Sequence, residues 1–102
     1  MHLTQILLPL YDNDGKPFPV EVFHAIRDEL VAQFGGLTAY MRAPAEGLWS
    51  PPGRDATRED IAVFEIMTPE INSAWWSRYR KTLEGRLRQE TIVIRSHPIQ
   101  LL

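Results

Sequence analysis

The chain contains no cysteine. Disulfides, thiolate metal sites and a cysteine nucleophile are thereby excluded together. An excess of one charge is also missing: 11 Lys and Arg stand against 13 Asp and Glu, for a net charge of −2. Bulk charge therefore gives no pull toward a polyanion such as nucleic acid. No stretch approaches the roughly 20 apolar residues that a membrane helix needs. The opening residues, MHLTQILLPLYDND, have no basic start, and Gln5 and Pro9 interrupt their apolar run. They do not read as a secretory signal. The expectation is a soluble cytoplasmic protein with neither a nucleic-acid nor a membrane partner.

Glycine-rich phosphate loops and nucleophile elbows are absent too. The three histidines, His2, His24 and His97, share no ligand spacing and read as surface residues, so neither a metal nor a cofactor is implied. Asp12, Asn13, Asp14 and Gly15 resemble the start of a calcium loop. The glycine comes too early, however, and Phe23 stands where the twelfth, acidic ligand belongs. A plain turn is the better reading.

What is present is apolar patterning sufficient for one domain of 102 residues, with a core over about 3–95 and an apolar tail, 96–102. The key stretch is Arg58–Met67, REDIAVFEIM. Ala62, Phe64 and Ile66 alternate with Ile61, Val63, Glu65 and Met67, so both faces of this strand are largely apolar. Such a strand belongs in the middle of a sheet covered on both sides. Residues 3–10, LTQILLPL, read the same way, with Ile6 and Leu8 opposite Leu3, Gln5 and Leu7. Residues 37–43 alternate with one apolar face (Leu37, Ala39, Met41) and one mixed face (Thr38, Tyr40, Arg42), as in a strand nearer an edge. Residues 90–95, ETIVIR, form the last expected strand.

Two helices complete the set. Val20, Phe23, Ile26, Leu30, Val31 and Phe34 recur at 3–4 spacing over 20–34, stopped by Gly35-Gly36. Arg27 falls within that apolar arc and is expected to lay its stem over the core edge with its head in water. Thr68-Pro69 reads as the start of the second helix, running to about Arg88 with Ile71, Trp75, Tyr79, Leu83 and Leu87 as its stripe and Trp76 beside it. Gly85 weakens its last turn. The connection 44–57, with Leu48 and Trp49, is too long for a simple hairpin.

The order β-α-β-β-α-β, with the two doubly apolar strands first and third, resembles the ferredoxin-like fold: an α+β domain whose four-stranded antiparallel sheet carries two helices on one face. RNA-binding domains of the RRM type share that order but place stacked aromatics in a basic third strand; DIAVFEIM has one aromatic and two acids. Two helices cover one face only. The other would expose Leu3, Leu7, Ile61, Val63, Met67 and Val93, and burying each fully is worth on the order of 1.5–3 kcal/mol. This is similar to the dimeric α+β barrel superfamily. That resemblance implies a homodimer joined sheet to sheet, with a small organic ligand held between the sheets and isomerase or oxygenase chemistry in some members.

The same face carries polar groups. Glu65, a carboxylate among apolar side chains, is the candidate general base or the anchor for a cationic group. Arg42 and Arg95 can clamp a carboxylate or phosphate. Gln5 and Tyr40 add hydrogen-bonding groups, and Trp49 can close over the site. Two functions fit this pattern: a small-molecule-binding dimer, enzymatic or not, and a non-catalytic structural or regulatory dimerisation module.

Overall fold

The computed structural model describes residues 1–40 and 61–102. The expectations for Met41, Arg42, the connection with Leu48 and Trp49, and the Arg58–Asp60 start of the central strand lie outside the described residues. Within them the order is β1 (His2–Pro9), α1 (Val20–Phe34), β2 (Thr38–Tyr40), β3 (Ile61–Thr68), α2 (Ser73–Arg86) and β4 (Val93–Pro98). The four strands form one antiparallel sheet in the order β2-β3-β1-β4. The two strands whose sequences are apolar on both faces are therefore the two central ones.

Burial alternates along them. Thr4, Ile6 and Leu8 of β1 and Ala62, Phe64, Ile66 and Thr68 of β3 are buried. They meet Phe23, Ile26 and Leu30 of α1 and Trp76 and Leu83 of α2, with Leu87 and Ile92 closing the same core. Both helices thus cover one face of the sheet. The turn after β1 is closed by the side chain of its own first acid. The Asp12 carboxylate accepts the amide protons of Asp14 and Lys16, each at 2.9 Å, and Gly15 takes φ 77°. α1 ends in Gly35, left-handed at φ 84°, whose amide donates to the Val31 carbonyl. Arg27 lies exposed beside Asp28 at 3.0 Å, its head in water as its position requires.

The second helix begins later than its sequence suggests. Thr68 is still paired in β3, opposite His2, and its hydroxyl donates to the Glu70 carbonyl rather than capping a helix. The cap is Asn72, whose side-chain oxygen accepts the Trp75 amide at 3.1 Å. Of the two tryptophans, the one in line with Leu83 is the core residue: Trp76 is 7% exposed, while Trp75 is half-buried. Both belong to an aromatic cluster. Phe34 from the end of α1 stacks on Trp76, centroids 5.2 Å apart, and meets Trp75 edge-on at 4.9 Å. Trp75 in turn stacks on Tyr79. The helices are further tied by Glu29, which accepts the Tyr79 hydroxyl at 2.8 Å and pairs with Arg86 at 2.7 Å.

α2 ends at Arg86, two residues short of the expected Arg88. Gln89 N–H donates to the Glu84 carbonyl and Arg88 N–H to that of Gly85. This double closure is the Schellman motif. Arg88 takes its left-handed position at φ 53°, a place that glycine usually fills. The last strand runs through Pro98 rather than stopping at Arg95, because β1 offers partners that far: Leu3 pairs with His97 and His2 with Pro98. Beyond it, the Ile99 amide donates to the Met1 carbonyl at 2.9 Å.

Candidate functional site

The face of the sheet away from the helices is built in rows by the strand register. Thr38, Glu65, Gln5 and Arg95 are successive partners across β2, β3, β1 and β4. Tyr40, Val63, Leu7 and Val93 make the adjacent row on one side. Met67, Leu3 and His97 make the row on the other. A polar band thus crosses an otherwise mainly apolar surface. Met67 is 54% exposed, Tyr40 48% and Val93 46%.

The band is wired by hydrogen bonds. Arg95 Nε donates to Gln5 Oε1 at 2.8 Å, and Gln5 Nε2 donates to Glu65 Oε1 at 2.8 Å. Gln5 is suited to the middle because an amide both accepts and donates. Its orientation follows from its neighbours: the guanidinium can only donate and the ionised carboxylate can only accept. The row leaves the Glu65 Oε2 atom and the terminal guanidinium nitrogens of Arg95 without partners among the described residues. These stand two strands apart, roughly 10 Å along the sheet at strand spacing. The face therefore offers an acceptor at one end and a planar cationic donor at the other.

Glu65 also borders a half-open hollow of about 220 Å³, between Leu3 and Met67 of the sheet and Phe34, Gly36, Leu37 and Thr38. The structure thus joins Glu65 and Arg95 through Gln5 in one hydrogen-bonded row and sets Tyr40 one row away. Arg42 and Trp49 lie outside the described residues. His97 belongs to this face and was placed in the tail by the sequence reading. The signal was there: Val93, Arg95 and His97 keep the two-residue alternation up to Pro98, which ends it. Among the described residues no group of three or more His, Asp or Glu side chains is arranged to hold a metal. No helix there is long and apolar enough to cross a membrane.

No protein-family model, no curated protein and no solved structure matches this chain.

Proposed function

We propose that two copies of this chain pair through their open sheet faces and hold a small organic ligand between them, in the manner of a dimeric α+β barrel. The observation that carries this reading is the banded face. Leu3, Leu7, Val63, Met67 and Val93 lie on the side of the sheet that neither described helix covers, and the Arg95–Gln5–Glu65 band crosses them. A second sheet would remove the apolar rows from water. The band would then lie in the interior, where Glu65 is the candidate base or cation anchor and Arg95 the anion clamp, with Tyr40, and with Arg42 and Trp49 as further ligand-binding candidates. The band is also polar in direction. A two-fold axis parallel to the strands would set the Arg95 end of one copy toward the Glu65 end of the other, a reciprocal match of opposite charges.

One observation favours the second reading, a dimerisation module without chemistry. Gln5 already satisfies one atom each of Glu65 and Arg95, so the band can serve as a packed polar seam that fixes register. The test has two steps. Light scattering should give the mass of two chains at micromolar concentration, and Val63→Lys should give one. A thermal-shift screen of small carboxylates, phosphates and aromatic amines should then yield hits that Glu65→Gln abolishes. A monomeric wild-type chain removes both readings. A dimer whose hits survive Glu65→Gln removes Glu65 from the site.

A further inference from the structure

A second hollow, also about 220 Å³, lies where the first turns of α2 meet the edge strand β4, on the helix-covered side of the sheet. Its helix wall is Ser73, Trp76, Ser77 and Arg80, the i, i+3, i+4, i+7 stripe of α2. Its sheet wall carries Thr4 and Ser96, which are register partners across β1 and β4. Four hydroxyls and a guanidinium thus border one hollow, Arg95 adjoins it, and no carboxylate among the described residues lines it.

Two further observations point to a ligand there. Thr4 is 1% exposed, and its hydroxyl is the one buried side-chain polar atom without a hydrogen-bond partner among the described residues. Such a group in a native fold calls for a partner that the described residues do not supply. Arg80 likewise has no acidic partner among the described residues, where the two ion pairs join Arg27 to Asp28 and Arg86 to Glu29. The end of α2 adds to this. The Asn72 side chain caps only the Trp75 amide, leaving those of Ser73 and Ala74 at the positive helix terminus.

We infer that this hollow is a binding site for a phosphate group, that of a small organic monoester whose body packs on Trp76. Phosphate fits better than carboxylate because the donors present outnumber what two oxygens can share. Arg80 supplies the charge, and the serine hydroxyls and helix amides supply directed donors. The site lies across the sheet from the open face, so it does not depend on the pairing proposed above. With the net charge at −2, binding here is local and not a consequence of overall attraction.

The test is a titration of the full chain with inorganic phosphate at constant ionic strength, followed by amide and indole NMR shifts. Saturable shifts are expected at Thr4, Ser73, Ala74, Ser77 and Ser96 and at the Trp76 indole. Arg80→Gln should weaken binding at least tenfold and Ser77→Ala several-fold. Arg78→Gln, the same charge change outside the hollow, should leave it as it was. Tighter binding of phenyl phosphate than of phosphate supports the organic monoester, and equal binding reassigns the ligand to free phosphate. Shifts that grow without saturating, or equal weakening by Arg78→Gln and Arg80→Gln, overturn the site.

Discussion

Tyr79 shows how one residue couples helix packing to pH. Burial, and then its hydrogen bond to the Glu29 carboxylate, hold its phenol well above the ordinary tyrosine range. An unfolded chain releases that proton from about pH 10 upward, while the folded chain keeps it. Stability from this group is therefore full below about pH 10 and declines as pH rises beyond it. Tyr79→Phe should lower stability at neutral pH by about 1 kcal/mol and flatten the alkaline decline, as read by urea midpoints between pH 8 and 11. Backbone conformation sets two further residue-scale outcomes. A Cβ added at Gly85, inside α2, meets no atom within 4 Å among the described residues beyond its own stretch of helix. Gly85→Ala should therefore raise stability by roughly 0.5–1 kcal/mol. Arg88→Gly should add about 1 kcal/mol by relieving the left-handed position at the Schellman turn. Thermal unfolding of the two variants checks both.

At the scale of elements, α2 depends on its cap and on one of its two tryptophans. Asn72→Ala should cost about 0.5–2 kcal/mol. Trp76→Ala should cost about 3–5 kcal/mol and Trp75→Ala clearly less, which denaturant unfolding of the pair will rank. This order is the reverse of the one read from the sequence, and the reason is physical. A strict i,i+4 stripe drifts by about 40° at each step, so Trp75 stands about 80° round the helix from buried Leu83, whereas Trp76, seven residues before Leu83, lies within about 20° of it. The strands were more legible than the helix ends. Alternation along Leu3–Leu8 and Ile61–Met67 is set by the two-residue period itself, so the faces followed at once. The candidate band was legible for the same reason: Gln5, Glu65 and Arg95 are all on the non-helix parity of their strands. What alternation does not carry is register. That the three residues fall in one row, joined by hydrogen bonds, depends on pairings 60 and 90 residues apart. The α2–β4 hollow follows no sequence motif: Ser73, Ser77 and Ser96 are scattered over two elements, and only packing sets them beside Thr4 and Arg80.

At the scale of the molecule, the sheet has a side sheltered by both helices and a side that neither described helix covers, and the proposed pairing addresses the latter. If two faces meet, the six apolar side chains there each gain on the order of 1.5–3 kcal/mol when fully buried. That sum is offset by the loss of free translation and rotation of the partners. The expected dimer therefore dissociates on dilution or on placing one lysine at Val63, and its thermal midpoint rises with protein concentration. A midpoint independent of concentration over a hundredfold range argues for a monomer.

The position of β1 also bears on how the chain folds. It precedes the other strands in chain order, yet its hydrogen-bonding neighbours on both sides, β3 and β4, come from more than 50 residues further on. Its edges stay unsatisfied until β4 has been made, while α1 can form locally long before. Sheet assembly is thus a late, non-local event, and refolding should run slower than in a helical bundle of equal length.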